Sequence, residues 1–218
     1  MPSNGRKFDL VAFDMDGVLV DYLSSWTWVH DRFGVSNEET LISFMDGEID
    51  DLEFMRRDIA LWMRHRPGLC LPEVERELLK LPINPGIEPT VRELQERGVR
   101  AVIISGGLDL IAEKLVRKYR FDAHWSNGLA ADLEGRLTGE GVLRVELCNK
   151  RKALQEAQDL FGVPPERTAS IGNSSIDVSM FRGSSLGIAY NPIDEEVVRG
   201  AHHVVRHSSL SAVLPFLI

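Results

Sequence analysis

Short apolar segments that alternate with helical segments constrain the fold of this chain most strongly. The runs FDLVAF at 8–13 and VRAVII at 99–104 have the length and apolar content of buried strands. Further short strands are expected near Ala123 and at 141–145, 168–171, 186–189 and 203–205. Strand–helix alternation is typical of a parallel sheet with helices on both faces. The predicted fold class is therefore α/β, with a doubly wound, Rossmann-like parallel sheet.

One segment departs from this alternation. Between positions 22 and 81 the apolar residues recur at helical spacing, and no convincing strand interrupts them. The sequence PINPG at 82–86 then has the composition of a linker. We therefore predict a small helical cap domain, residues 21–83, inserted after the first strand. The core would consist of residues 1–20 and 84–218.

Charge and composition exclude several functional classes. The formal net charge of −8 argues against a nucleic-acid or anionic-membrane surface, since both require clustered Lys and Arg. No run of about 18 apolar residues occurs, and the polar start at 1–7 lacks the apolar stretch of a signal peptide. The two cysteines, Cys70 and Cys148, are too few for a disulfide framework. These features predict a cytoplasmic protein with reduced thiols.

Polar residues follow three of the predicted strands. The segment DMDG at 14–17 follows the first, SGG at 105–107 follows the second, and GNSSID at 172–177 follows a later one. Lys150 lies at the start of a predicted helix. Ligands of open parallel sheets bind beyond the carboxyl ends of the strands. We therefore expect all four elements to meet at one edge of the sheet.

These residue types suit phosphoryl transfer. Asp14 and Asp16 are close enough in sequence to repel each other unless a cation or a proton is present, and Mg²⁺ prefers oxygen ligands. Ser105 and the amides after it can hold a phosphoryl group at a helix N-terminus. Lys150 adds a positive charge for the phosphoryl oxygens or for the nucleophile. Together they provide the parts for in-line phosphoryl transfer.

DMDGVLV at 14–20, ISGG at 104–107, NKRKAL at 149–154 and GNSSID at 172–177 resemble the four motifs of the haloacid dehalogenase superfamily. The helical insert after the first motif resembles its phosphoserine phosphatase-like branch, and the resemblance covers nearly the whole chain.

This resemblance implies a role for each motif. Asp14 would attack phosphorus, and Asp16 would protonate the leaving oxygen and later activate water. The metal residues would be Asp14, Asp16 through its backbone carbonyl, and the residue at position 173, with Asp177 in a direct or water-mediated role. The phosphoryl group would be bound by Ser105, Gly106 and Lys150.

A second lysine competes for the third motif. Lys152 lies two residues after Lys150 on the same predicted helix. Lys150 is preferred, because counting back from Gly162 at the end of this helix places the family's lysine there.

Two positions depart from the family pattern. Asn173 stands where the family usually has Asp, so one negative charge is missing from the metal site. Leu23 stands where phosphoserine phosphatases carry a Glu for the substrate ammonium, while Arg56 lies about where they carry the arginine that binds the substrate carboxylate. Arg56 is accordingly predicted to bind substrate, and the substrate is expected to carry a carboxylate or a neutral polar group but no ammonium.

The predicted function is a Mg²⁺-dependent phosphomonoesterase that acts through a phosphoaspartate on a small phosphorylated metabolite, with phosphoserine among the candidates. We expect a monomer or homodimer that binds neither nucleic acid nor membranes. Three alternatives stay open. They are a phosphotransferase or mutase on the same scaffold, a degenerate regulatory protein, suggested by Asn173, and a signalling receiver domain, against which the helical insert argues.

Overall fold

Seven strands form one sheet in this computed structural model, which describes residues 7–218. The first six residues of the predicted core segment 1–20, and with them most of the N-terminal stretch, lie outside the described residues. The sheet order is β4-β3-β2-β1-β5-β6-β7. The strands are β1 (Leu10–Phe13), β2 (Arg100–Leu108), β3 (Ala123–Ala131), β4 (Leu137–Val142), β5 (Thr168–Gly172), β6 (Leu186–Tyr190) and β7 (His203–Val205).

Helices cover this sheet and form the insert after β1. The insert contains α1 (Ser25–Phe33), α2 (Glu38–Met45), α3 (Asp51–His65) and α4 (Leu71–Leu78), which we call the cap helices. The remaining helices are α5 (Ile87–Glu96), α6 (Asp109–Tyr119), α7 (Lys150–Phe161), α8 (Val178–Phe181), α9 (Glu195–Gly200) and α10 (Leu214–Leu217). The predicted α/β class with an inserted helical segment is confirmed.

The first strand lies at the centre of the sheet. β1 pairs in parallel with β2 on one side and with β5 on the other. Its residues alternate between two apolar clusters. Val11 and Phe13 belong to one, and Leu10 and Ala12 belong to the other. Side chains of a strand point alternately to opposite faces, so helices bury β1 from both sides. This position fixes the backbone of the residues that follow it.

The strand predictions needed two corrections at one side of the sheet. β2 does not end before Ser105 but continues to Leu108, because it pairs with β3 across a register shift between these two residues. The strand predicted at 141–145 lies earlier, as β4, and pairs antiparallel with β3. Six strands are therefore joined in parallel, and β4 is an antiparallel edge strand.

The chain enters and leaves the cap helices at neighbouring points. Val20 and Ile83 form an antiparallel bridge, and the Asp21 amide donates to the Pro82 carbonyl oxygen at 2.9 Å. The predicted division into a core of 1–20 and 84–218 and a cap of 21–83 fits this junction and stays a prediction. Within residues 7–218, no helix has both the length and the apolar character that crossing a bilayer requires.

Candidate active site

Asp14 lies immediately after β1 and is almost fully buried. Its amide donates to the Ile171 carbonyl oxygen of β5 at 2.8 Å, which extends the sheet by one residue. The chain then turns at Gly17, whose φ of 77° lies in the left-handed region that favours glycine. A Cβ on Gly17 would lie 2.0 Å from the Asn173 side-chain nitrogen. Glycine therefore allows the loop after β1 to meet the loop after β5.

Lys150 is the first residue of α7, and its side chain is only 3% exposed. Its Nζ lies 2.7 Å from Asp14 Oδ1 and 2.6 Å from Asp177 Oδ1. Lys152 points elsewhere, since its side chain is 65% exposed and its Nζ lies 3.3 Å from Glu146. Of the two candidate lysines, Lys150 is therefore the one that lies at the site.

Asp16 is buried beside Asp14 and reaches the cap helices through Ser25. The Ser25 hydroxyl donates to Asp16 Oδ2 at 3.0 Å and accepts from the Leu108 amide at 2.9 Å. Asp16 Oδ1 is the one buried side-chain polar atom without a partner in residues 7–218. A buried carboxyl oxygen that lacks a partner is costly, so this atom is suited to a proton or to a group of the substrate.

Both carboxyl groups bind protons unusually well. Burial raises the pKa of Asp14 to about 7, and repulsion by Asp177 adds to this effect, while Lys150 opposes it. Burial also raises the pKa of Asp16 to about 6, against the hydrogen bonds from Ser25. A carboxyl group with a pKa near neutrality can both give and accept a proton, which suits a general acid and base.

The segment Ser105–Gly107 lies at the end of β2, directly beside Asp16. Ser105 is buried, and its hydroxyl accepts from the Gly107 amide at 3.1 Å. A Cβ on Gly107 would lie 2.4 Å from Asp16 Oδ2. The Gly106 carbonyl oxygen accepts from the indole nitrogen of Trp26 at 3.1 Å. This segment therefore contacts both the core carboxylate and the first cap helix.

The loop after β5 brings Asn173 and Asp177 to the same edge. Asn173 is buried and borders the cavity described below. Asp177 uses both of its oxygens. Oδ1 accepts from Lys150, and Oδ2 accepts from the amides of Asn173 at 2.8 Å and Ser174 at 3.1 Å. Asp177 therefore holds Lys150 and this loop through its two oxygens, and its predicted direct or water-mediated role at the metal stays a prediction.

The chemistry of these donors fits Mg²⁺. The Asp14 carboxylate, the Asp16 backbone carbonyl and the Asn173 amide oxygen are all hard oxygen donors, which Mg²⁺ prefers. No group of three or more His, Cys, Asp or Glu side chains within residues 7–218 could hold a metal ion by itself. An amide, a backbone oxygen and retained waters would have to complete the shell. Mg²⁺ tolerates such a site, because it usually keeps several waters.

A cavity of about 270 Å³ lies between these loops and the cap helices. Asp14, Asp16, Ser105, Lys150 and Asn173 line its core side. Its cap side is formed mainly by α1, α2 and α3. The residues there include Leu23, Trp26, Asn37, Leu41, Asp51, Phe54, Met55 and Asp58. The predicted catalytic and phosphoryl-binding residues of the core therefore border one cavity, together with every predicted metal residue except Asp177.

Arg56 is a predicted site residue that does not line the cavity. Its Nε lies 2.7 Å from Glu140 of β4, and its side chain is 43% exposed. The physical reason is helical register. On α3, residues 51, 54, 55 and 58 share the face that lines the cavity, and position 56 lies on another face. The prediction that Arg56 binds a substrate carboxylate has no support in this geometry.

Sequence reasoning missed three residues of the site. Ser25 holds Asp16, and Asp51 and Asp58 place two carboxylates at the cap side of the cavity. None of them belongs to a motif, so only the register of the cap helices could have indicated them.

Comparison with known proteins agrees with this geometry. Residues 11–182 match the family model for the haloacid dehalogenase-like hydrolases. The phosphoserine phosphatase of Wolinella succinogenes is 30% identical over 95% of this chain and 99% of its own length. Phosphoserine phosphatase SerB2 of Mycobacterium tuberculosis is 32% identical over 85% of this chain, which spans only 45% of that relative.

A solved structure described as a phospho-aspartyl intermediate analogue of phosphoserine phosphatase is also similar. It superposes with a TM-score of 0.82, at 25% identity, over 98% of this chain and all of that chain. The chain therefore belongs to the haloacid dehalogenase-like hydrolase family. Within this family it is a phosphatase that works through a phosphoaspartate, as its similarity to the phosphoserine phosphatases indicates. The receiver-domain and degenerate-protein alternatives are thereby set aside.

Proposed function

We propose that this chain is a Mg²⁺-dependent phosphomonoesterase in which Asp14 is the nucleophile and Asp16 is the general acid and base. The observation that carries the proposal is the set of buried ionisable side chains at the edge of the sheet. Asp14 is ion-paired to Lys150, and Asp16 keeps one unpartnered oxygen beside the same cavity. Such an arrangement costs folding free energy and is typical of a catalytic site.

In the first step an Asp14 oxygen attacks phosphorus, and the bond to the alcohol oxygen breaks. The departing oxygen takes the proton of Asp16, whose raised pKa of about 6 leaves a fraction of this carboxyl protonated near neutral pH. Lys150 keeps Asp14 in place and offsets negative charge as it develops. Ser105 and the amides beside it bind the phosphoryl oxygens.

In the second step the Asp16 carboxylate takes a proton from water, and the water oxygen attacks phosphorus. The bond between phosphorus and the Asp14 oxygen breaks, inorganic phosphate leaves, and both carboxyl groups return to their starting states. Asp14 and the Asp16 backbone carbonyl would hold Mg²⁺, which would offset the negative charge that develops during the transfer. We propose Asn173 as a ligand of this ion, and Asp177 as the residue that positions Lys150 and the Asn173 loop.

The substrate is a small phosphorylated metabolite, which matches the cavity volume of about 270 Å³. Phosphoserine is the first compound to test, because the relatives are named for it. The predicted cytoplasmic location and the predicted state as a monomer or homodimer stay predictions.

Hydrolysis of p-nitrophenyl phosphate by the full chain tests the proposal. We expect turnover with Mg²⁺, loss of turnover with a chelator, and no turnover in a folded Asp14→Asn variant, because an amide cannot form the phosphoaspartate. Turnover that persists in Asp14→Asn would refute the nucleophile assignment. Adding a sugar acceptor and measuring phosphosugar against inorganic phosphate separates a phosphotransferase from a hydrolase.

A further inference from the structure

Among the lining residues that the structure describes, those on the cap side of the cavity carry negative charge and no positive charge. Asp51 and Asp58 are the charged residues there, and the one cation in the described lining, Lys150, is held at the core side by Asp14 and Asp177. Trp26, Leu41 and Phe54 supply apolar surface around the two carboxylates. A substrate group that reaches this side therefore meets anions and apolar rings.

Asp58 is the more deeply buried of the two carboxylates, with its side chain only 2% exposed. It accepts hydrogen bonds from Asn37 Nδ2 at 3.0 and 3.1 Å and from His30 Nε2 at 3.1 Å. His30 Nδ1 accepts from the indole N–H of Trp62 at 2.8 Å. An indole nitrogen can only donate, so His30 Nδ1 carries no proton, and the imidazole is neutral in this network.

Within residues 7–218, the negative charge of Asp58 is consequently held by neutral donors alone. A buried carboxylate that no cation compensates is costly, and a cation placed beside it recovers part of this cost. The two nearest arginines of α3 do not fill this role. Arg56 is paired with Glu140, and Arg57 is paired with Glu53, both at the exposed side of the helix.

We propose that the physiological substrate is a phosphorylated amino alcohol, whose amine or ammonium group faces Asp58 and which has no carboxylate. This inference rests on the proposed function and names the substrate class of the same cavity. A substrate carboxylate would lie among Asp51, Asp58 and Asp16 without a cationic partner.

This class differs from the sequence-based expectation of a substrate with a carboxylate or neutral polar group and no ammonium. That expectation relied on Arg56, which lies outside the cavity, and on Leu23, whose side chain offers no acceptor. Asp58 supplies the acceptor instead, one helical turn after Phe54 on the same face of α3.

Four small phosphate esters test the charge preference. With Mg²⁺ and the full chain, kcat/KM is measured for four compounds. Phosphoethanolamine carries an amine, phosphoglycolate carries a carboxylate, phosphoserine carries both, and ethyl phosphate carries neither. We expect phosphoethanolamine to exceed each of the other three by about tenfold or more. A value for phosphoserine or ethyl phosphate that equals or exceeds that of phosphoethanolamine overturns the inference.

Hydrolysis of p-nitrophenyl phosphate distinguishes a failure of the proposed substrate class from a failure of the proposed phosphatase function. If it is hydrolysed and the order of the four esters is wrong, the substrate class fails and the phosphatase proposal stands. If neither p-nitrophenyl phosphate nor any of the four esters is hydrolysed, the proposed function fails, and the substrate class fails with it.

Two variants test the residues. In Asp58→Asn we expect the ratio of kcat/KM for phosphoethanolamine to kcat/KM for ethyl phosphate to fall by about tenfold, because only phosphoethanolamine carries the charge that Asp58 meets. An unchanged ratio of the two values would overturn the role of Asp58.

Leu23→Arg keeps the test available if Asp58→Asn does not fold. Leu23 is 63% exposed at the rim of the cavity, so an arginine is tolerated there and adds the missing cation. We expect the ratio of phosphoglycolate to phosphoethanolamine activity to rise by about tenfold. Met45→Arg, at a 72% exposed position of α2 outside the cavity lining, is the matched control and should leave the ratio unchanged. A ratio that is equal in both arginine variants contradicts the inference.

Discussion

Replacing Lys150 by methionine tests the buried ion group that holds the nucleophile. Lys150, Asp14 and Asp177 are each at most 5% exposed, and the Nζ lies within 2.7 Å of both carboxylates. Removing one partner of a buried ion pair typically costs about 3–5 kcal/mol, since the remaining charges stay buried without compensation. That is a large part of the free energy of unfolding of an ordinary domain. We expect Lys150→Met to lose this amount at neutral pH, together with its activity.

The loss should shrink as the pH falls. Burial already raises the pKa of Asp14 to about 7 with Lys150 present, and removing the cation raises it further. A carboxyl group whose pKa is higher in the folded state than in the unfolded state favours folding when protonated, so stability is lost as the pH rises through the folded-state pKa. Protonation at lower pH therefore relieves the repulsion between Asp14 and Asp177.

Urea unfolding followed by circular dichroism measures this effect. Lys152→Met is the matched control, because the Lys152 side chain is 65% exposed and such surface substitutions usually change stability by less than about 0.5 kcal/mol. Equal and small losses of the free energy of unfolding in both variants at neutral pH would refute the buried ion group and the choice of Lys150 over Lys152.

Three further predictions concern the metal and the neighbouring loop. Asn173→Asp should lower the Kd for Mg²⁺, because it restores a ligand charge, and an unchanged titration would place Asn173 outside the metal shell. Mg²⁺ should raise Tm more at about pH 8 than near pH 5, since the Asp14 carboxyl, with a pKa of about 7, must release its proton to bind the ion; equal shifts would contradict this. Gly107→Ala should destabilise the protein by about 1–3 kcal/mol, because its Cβ would lie 2.4 Å from Asp16 Oδ2, and a variant as stable as the wild type would show that the loop can move away.

The core half of the site was predictable because it follows from a general rule of parallel sheets. Asp14 and the Asn173 loop come directly after two apolar strands, and such strand ends meet at one edge. Ser105 was placed at the same edge even though its strand continues to Leu108. The extra length depends on pairing with β3, and pairing between distant segments leaves no mark in the local pattern.

The cap half was less predictable, because it depends on helical register. A shift of two residues separates Arg56, which pairs with Glu140, from Asp58, which lines the cavity. On a helix this shift moves a side chain to a nearly opposite face. The contact between Ser25 and Asp16 likewise depends on how α1 packs over the loop after β1. The sequence predicted the helices of the cap but not which of their faces would meet the core.

Trapping the covalent intermediate tests the central claim most directly. In an Asp16→Asn variant, p-nitrophenyl phosphate can still phosphorylate Asp14, because its leaving group needs no proton, whereas the water step lacks its base. After an acid quench, mass spectrometry should find one phosphoryl group on the peptide that contains Asp14. The same peptide should stay unmodified in Asp14→Asn. A phosphoryl group on any other residue, or steady turnover by Asp14→Asn, would contradict the phosphoaspartate mechanism on Asp14.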